Sequence, residues 1–290
     1  KNLDLIRHNW EGIKSALEMT VRLANDFGID RETLTSSNAL LPIAYYFFKT
    51  SVRFNSTEAK HLEAIQAMHR WLVKALLAST FGGSSDGTIS QSRKIIQESL
   101  VTSDEFPERA LLLGLRRQSH IDFTDPRSLD DLLSLTYQDR TTFFALSLLH
   151  PDKRWGSAQY HMDHIFPQAS LTKAKLLSHG VSEWAIEAYL KGKDRLSNLQ
   201  LLPYLDNIEK SDQPFEAWLN GRSPTFSYEH SIPDDKELYQ VDRLLDFLKA
   251  RDRLLRKRYA DILGFSSYPA ASEESSDALE CSDPLEAEIS

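Results

Sequence analysis

Apolar residues recur at steps of three and four from the start of this sequence, and this spacing restricts the first part of the chain to helices. Leu3, Ile6, Trp10, Ile13 and Leu17 begin the pattern, which places them on one face of an amphipathic helix. No convincing alternation of apolar and polar residues occurs before residue 157. The same reasoning predicts further helices at about 38–48, 57–81, 90–101, 106–117, 127–135 and 138–149. We therefore predict an all-helical region over residues 1–150, called the helical region below.

A different pattern begins after residue 150. Two short extended stretches, about 158–166 and 196–202, flank predicted helices at 171–178 and 181–191. Further helices are predicted at 204–210 and 215–219, followed by a Pro- and Ser-rich loop at 221–234 and a last helix at about 236–262. Residues 151–265, called the mixed region below, are therefore predicted to form a second domain, and the fold class is mainly α.

The charge of the chain is concentrated at its C-terminal end. The net charge is −8, and residues 266–290 contain seven acidic and no basic side chains. This stretch has little apolar material, so we predict an acidic disordered tail. The rest of the chain is nearly neutral, which does not favour tight autonomous binding of nucleic acid.

The remaining composition restricts compartment and metal chemistry. Cys281 is the only cysteine, which excludes an internal disulfide and a zinc site of the CxxC kind. A single cysteine fits a reducing cytoplasm, and no apolar run is long enough to span a bilayer, so we expect no membrane contact. The first residue is Lys rather than Met, and we expect that a natural N-terminal part precedes it.

A carboxylate and an imidazole stand side by side at the end of the first extended stretch. Asp163 and His164 are followed by a turn at Pro167. Hydrolysis of a phosphodiester needs a base that activates water and a cation that stabilises charge on the phosphate. A neutral histidine suits the base, and oxygen ligands such as Asp163 and Asn207 suit Mg²⁺. The pattern therefore favours metal-dependent hydrolysis.

Three segments together resemble the site of HNH nucleases, which have a ββα-metal fold. They are Asp163-His164-Ile165-x-Pro167, Asn198-Leu199-x-Leu201-Leu202 and Asn207-x-x-Lys210-Ser211. The first and third are similar to the HNH domain of RNA-guided CRISPR nucleases. A following Pro214-Phe215-Glu216 brings the likeness closer to the C-terminal nuclease domain of GmrSD-type modification-dependent restriction enzymes, a group that includes phosphorothioate-sensing defence nucleases. These motifs lie between Tyr160 and Trp218, whereas the helical region is matched only in style.

The resemblance implies a role for each residue of the motifs. His164 would be the general base, Asp163 and Asn207 would bind Mg²⁺ or Mn²⁺, and Asn198 would brace the loop that carries the histidine. Lys210 is a candidate for a phosphate contact. The resemblance also implies an N-terminal NTP-binding domain of ParB-like fold before the helical region, and DNA as the substrate.

Several alternatives stay open at the level of sequence. Strand alternation places His161 on the same face as Asp163, so His161 could contact phosphate or metal, or be a structural histidine. The favoured function is an endonuclease that nicks or cleaves DNA as the effector of a bacterial restriction or anti-phage protein. The alternatives are a catalytically silent HNH-like module for DNA binding or assembly, and a nuclease acting on RNA. The last predicted helix contains a basic stretch that could contact DNA. Its residues are Arg251, Arg253, Arg256, Lys257 and Arg258, and the acidic residues interleaved with them favour a solvated helix face over a DNA-binding surface.

Overall fold

A computed structural model describes residues 2–29, 33–53, 57–150 and 159–265, and this part of the chain is mainly helical, as predicted. The predicted acidic tail, 266–290, lies outside the described residues. The helices are α1 (Asn2–His8), α2 (Trp10–Asp26), α3 (Leu41–Lys49), α4 (Ala59–Leu77), α5 (Asp86–Ser99), α6 (Glu108–Leu115), α7 (Ser128–Leu133), α8 (Thr142–Leu148), α9 (Lys173–Ser178), α10 (Ile186–Gly192), α11 (Tyr204–Lys210), α12 (Phe215–Asn220), α13 (Pro224–Glu229) and α14 (Leu244–Leu263). The strands are β1 (Tyr160–His164) and β2 (Leu199–Pro203).

The helical region packs around α4. Met68, Trp71 and Leu72 of this helix are almost completely buried, which agrees with the predicted apolar face. The first predicted helix is divided at Asn9 into α1 and α2, and its apolar stripe is only partly covered. Trp10 is 52% exposed, so part of the stripe faces solvent. No described helix has the length and apolar character needed to cross a membrane.

The two strands form one antiparallel sheet, and they are separated in sequence by α9 and α10. Asp163 lies opposite Gln200, and His164 lies opposite Leu199. The side chains of Leu199 and Leu201 enter the core of the helical region. Because side chains alternate along a strand, Asp163 and Gln200 point to the other face of the sheet. Helix α11, which follows β2 directly in sequence, covers that face.

Packing crosses the predicted boundary at residue 150. The core of the helical region also contains Leu196 before β2 and Leu255 and Tyr259 of α14. A second core lies wholly in the mixed region, where Phe166, Phe215 and Phe247 pack edge to face or at tilted angles with ring centroids 5.0–5.4 Å apart. The boundary therefore separates two sequence patterns, whereas the larger core joins them.

One local prediction for the mixed region is wrong, and a second fails at a single residue. The predicted loop at 221–234 contains α13, which begins at Pro224 because the Ser223 hydroxyl accepts a hydrogen bond from the Phe226 amide. Of the basic residues predicted on a solvated face of the last helix, Arg251 is instead completely buried. Its guanidinium donates to the carbonyls of His230 and Leu196, so the arginine satisfies backbone acceptors inside the protein.

Candidate active site

Strand β1 and helix α11 face each other across the site. His161 and Asp163 lie on the β1 face that α11 covers, as alternation predicted. The His161 ring packs against Tyr204, with ring centroids 5.4 Å apart. Two turns further along α11, the Lys210 ammonium lies 2.9 Å from Asp163 Oδ2. The helix is therefore fixed at both ends against consecutive side chains of one strand face.

The carboxylate of Asp163 is held through one of its two oxygens. Oδ2 accepts hydrogen bonds from Gln200 Nε2 at 2.8 Å and from Lys210 Nζ at 2.9 Å. No hydrogen bond to Oδ1 is found among the described residues. The carboxylate is therefore oriented and still has an oxygen available for a ligand.

Lys210 is placed as a support inside the site. Its side chain is completely buried, and Nζ also donates to the His164 carbonyl at 2.6 Å. Burial lowers the pKa of the ammonium, and the charge of Asp163 opposes that effect. In this arrangement the ammonium joins α11 to the end of β1 and is not accessible to a phosphate, so the geometry gives the predicted phosphate contact no support.

Asn207 lies on the same side of α11 as Lys210, because residues three apart in a helix are neighbours. Its side chain is half-buried and makes no hydrogen bond within the described part of the chain. The amide oxygen of Asn207 and Oδ1 of Asp163 are thus two hard oxygen atoms, suited as metal ligands, that accept no hydrogen bond from any residue the structure describes. No group of three or more His, Cys, Asp or Glu side chains suited to a metal occurs among the described residues, so a cation held by Asp163 and Asn207 would complete its coordination largely with water.

His164 ends β1, and its imidazole is in contact with Asp194, Tyr137 and Gln168, which belong to three different segments. Nε2 lies 2.9 Å from Asp194 Oδ1, and the ring centroids of Tyr137 and His164 lie 4.6 Å apart. Burial lowers the pKa of His164, and the hydrogen bond and charge of Asp194 oppose this effect, as does the charge of Asp163. The imidazole is therefore mainly neutral at neutral pH, which is the form that can accept a proton.

Asn198 braces the turn after His164. Its Oδ1 accepts from the Phe166 amide at 2.9 Å, and its Nδ2 donates to the carbonyls of Lys193 at 2.7 Å and Phe166 at 3.3 Å. The Ile165 amide donates to the Asn198 carbonyl at 2.7 Å. The side chain is completely buried and joins the segment before β2 to the segment after β1. This geometry fits the bracing role that the resemblance implies.

His161 lies on the covered face without a hydrogen bond from its buried ring nitrogen, Nε2, to any described residue. The ring packs at a tilted angle against Tyr204. The structure thus places His161 beside Asp163 on the covered face without assigning it a ligand.

Sequence reasoning missed four residues that contact the site. Asp194, Gln168 and Tyr137 contact His164, and Gln200 contacts Asp163. Gln200 could have been found, because it follows Asn198 and Leu199 in the predicted strand and faces Asp163. Asp194 and Tyr137 lie in segments with no motif, and only the fold brings them to the histidine.

No family model matches this sequence, and no curated protein matches it either.

Proposed function

We propose that this chain is a metal-dependent HNH endonuclease that nicks or cleaves DNA. The observation that carries the proposal is the strand–strand–helix unit formed by β1, β2 and α11. In this unit Asp163 and Asn207 offer free oxygen donors on one side, and a neutral, carboxylate-bonded His164 follows Asp163 at the strand end. The resemblance in the motifs supports the further proposal that the protein is the effector part of a bacterial restriction or anti-phage system, with an NTP-binding domain as its upstream partner.

The proposed reaction begins at His164. Its neutral imidazole takes a proton from a water molecule, and the water oxygen attacks phosphorus. The bond from phosphorus to the 3′ oxygen breaks, the leaving oxygen takes a proton from solvent, and the products carry a 5′ phosphate and a 3′ hydroxyl. Alternation directs Asp163 and His164 to opposite faces of the sheet, yet the charge of Asp163 acts on the imidazole. We therefore place the scissile phosphate at the end of β1, which both residues border.

The donor set fits a hard divalent cation. One carboxylate oxygen from Asp163 and one amide oxygen from Asn207 match the one or two protein ligands with which Mg²⁺ is usually bound. When bound, Mg²⁺ or Mn²⁺ would stabilise the negative charge that develops on the phosphate. Lys210 and Gln200 keep the Asp163 carboxylate in place for that role.

The direct test is incubation of the chain with supercoiled plasmid and Mg²⁺ or Mn²⁺, beside a parallel incubation with structured RNA. Conversion of the plasmid to the open-circular or linear form supports the proposal. Cutting of RNA alone would make the chain an RNA nuclease. Retention of DNA in a gel shift without any cutting would instead indicate a catalytically silent binding or assembly module.

We expect His164→Ala to abolish cleavage and to leave the far-ultraviolet circular dichroism spectrum unchanged. The reason is that the base acts in the transition state, where its loss costs about 100-fold or more in rate. His179→Ala is the matched control, because His179 is an exposed histidine at the end of α9. A pure His164→Ala variant that nicks plasmid at the rate of the unchanged chain would remove His164 from the mechanism.

A further inference from the structure

The hydrogen bond between His164 and Asp194 determines which imidazole nitrogen carries the hydrogen. Asp194 Oδ1 lies 2.9 Å from His164 Nε2. An ionised carboxylate only accepts hydrogen bonds, so the hydrogen must belong to Nε2. A neutral imidazole has one such hydrogen, and Nδ1 therefore keeps a free lone pair. Nδ1 makes no hydrogen bond with any described residue and is not among the buried, unpartnered atoms.

Gln168 tests this assignment, because its Nε2 lies 3.1 Å both from His164 Nε2 and from Asp194 Oδ1. If the amide donated to His164, the hydrogen of the imidazole would move to Nδ1. The lone pair of Nε2 would then face the Asp194 carboxylate at 2.9 Å, which is repulsive. The favourable arrangement has both nitrogens donating to the same carboxylate oxygen.

The segment that carries Asp194 is held by the helical region. Thr136 and Arg195 form an isolated antiparallel bridge. On its two sides, the Tyr137 amide donates to the Asp194 carbonyl at 2.7 Å, and the Leu196 amide donates to the Leu135 carbonyl at 2.9 Å. The Tyr137 ring also packs on the His164 imidazole. A loop between α7 and α8 thus contacts both the imidazole and the backbone of its carboxylate partner.

We infer that Asp194 is the positioning residue of the base, that it fixes His164 as the Nε2–H tautomer with Nδ1 as the proton acceptor, and that residues 135–137 of the helical region hold it there. The inference deepens the proposed function and rests on it. As Nδ1 takes the proton from water, the imidazole becomes positive, and the Asp194 carboxylate stabilises that charge. The helical region is consequently part of the active site and not only a neighbouring support.

The tautomer can be measured without any nuclease assay. The full chain is labelled with ¹⁵N in its histidine rings, and long-range ¹H–¹⁵N correlation spectra at neutral pH distinguish the two nitrogens; the His164 signals are assigned by their loss in His164→Gln. We expect a single Nε2–H tautomer for His164, and a mixture of tautomers in Asp194→Leu. A hydrogen on Nδ1 in the unchanged chain, or identical ring signals in Asp194→Leu, would overturn the inference.

The second measurement is single-turnover cleavage of plasmid. We expect Asp194→Leu and Asp194→Asn to lower the rate by about 100-fold or more while leaving the DNA concentration at half-maximal rate unchanged. Asp252→Asn is the matched control, since Asp252 pairs with the adjacent Arg195 at 2.8 Å but does not contact His164. Equal losses in Asp194→Asn and Asp252→Asn would reduce Asp194 to a structural role. If the unchanged chain cuts nothing, the proposed function fails, and the spectra still decide the tautomer.

Tyr137 provides the test for the helical region. We expect Tyr137→Ala to introduce the second tautomer into the spectra and to slow cleavage about 10-fold, because it removes the ring that packs on His164. Tyr137→Phe keeps the ring and should restore both the spectra and the rate. Unchanged ring signals in Tyr137→Ala would contradict the part of the inference that concerns the helical region.

Discussion

At the scale of single residues, Asn207 and Lys210 are neighbours on α11, and only Lys210 is expected to contribute to the stability of the fold. Lys210 is buried and joins Asp163 to the His164 carbonyl, whereas the Asn207 side chain makes no hydrogen bond in the described part of the chain. A buried ion pair that loses one partner leaves an uncompensated charge. The two positions should therefore separate stability from ligand binding.

We expect Lys210→Met to lower the free energy of unfolding by about 3 kcal/mol, because the Asp163 carboxylate, which is only partly exposed, would lose its cation. Asn207→Ala should change the free energy of unfolding by less than about 0.5 kcal/mol. Its Mn²⁺ affinity should nevertheless fall about 10-fold or more, since one of two oxygen donors is lost. Urea unfolding and calorimetric titration with Mn²⁺ measure the two effects.

Lys249→Met is the control for Lys210→Met, because Lys249 is an exposed lysine on α14 and its replacement should leave stability nearly unchanged. An Asn207→Ala variant with an unchanged Mn²⁺ titration would show that the second ligand lies elsewhere.

His69 makes the stability of the chain depend on pH. Its ring stacks on Phe27 with centroids 4.2 Å apart, and its Nε2 is buried without a partner among the described residues. Burial lowers the pKa of His69 to about 4, and the charge of Arg70 acts in the same direction. In the unfolded chain the histidine takes up its proton near pH 6.5. The stabilisation is therefore complete above pH 6.5 and is lost as the pH falls towards 4.

We expect the free energy of unfolding to fall between pH 7 and pH 4, with His69 accounting for at most about 3 kcal/mol of that loss. His69→Leu should lose correspondingly less over the same interval in urea unfolding. His179→Asn replaces an exposed histidine and should show the full loss. If His69→Leu and the unchanged chain lose stability in parallel, the buried ring is not the cause.

At the scale of elements, α10 approaches α14 closely at Gly192. A Cβ atom at this position would lie 2.9 Å from Leu248 Cδ1, and Leu248 is buried in the second core. A side chain enclosed on all sides cannot rotate away without disturbing its neighbours, so added volume is destabilising. By contrast, a Cβ at Gly87 of α5 would meet no atom within 4 Å.

Gly192→Ala should therefore lower the free energy of unfolding by about 1 kcal/mol or more. Gly87→Ala should raise it by about 0.5 kcal/mol, because alanine restricts the unfolded chain and the helix has space for the methyl group. Thermal unfolding of both variants under one set of conditions checks the contrast. The same sign of change in both variants would contradict the close packing of α10 on α14.

At the scale of the whole molecule, the shared core predicts that the helical and mixed regions unfold together. Leu199, Leu201 and Tyr259 belong to the same core as the helices that precede residue 150. In each of two single-tryptophan variants, one keeping Trp71 of α4 and the other keeping Trp218 of α12, we expect the urea midpoint from tryptophan fluorescence to equal the midpoint from circular dichroism of that same variant. Circular dichroism supplies the reference midpoint for each variant. A fluorescence midpoint that differs from the circular dichroism midpoint of the same variant would show that the regions are independent domains.

The sequence alone determined the helical character of the chain and the identity of the motif residues. Apolar spacing predicted the helices around α3, α4 and α11, because a helical face needs a period that local sequence displays directly. The predicted strands at 158–166 and 196–202 contain β1 and most of β2 for the same reason. The sequence also displays the motif residues directly, since order and spacing along the chain are properties of sequence. These are the adjacent Asp163 and His164, followed by Asn198 and Asn207.

Only the tertiary structure decided what surrounds those residues. Arg251 was predicted to be solvated, yet it is buried, because the carbonyls of His230 and Leu196 that it satisfies lie in other segments. Lys210 likewise supports Asp163 inside the site. Asp194 contacts His164 across 30 residues of sequence, and Tyr137 contacts His164 from the helical region. Periodicity reports which face of an element is buried, whereas a specific partner depends on how the elements pack, and no local pattern encodes that.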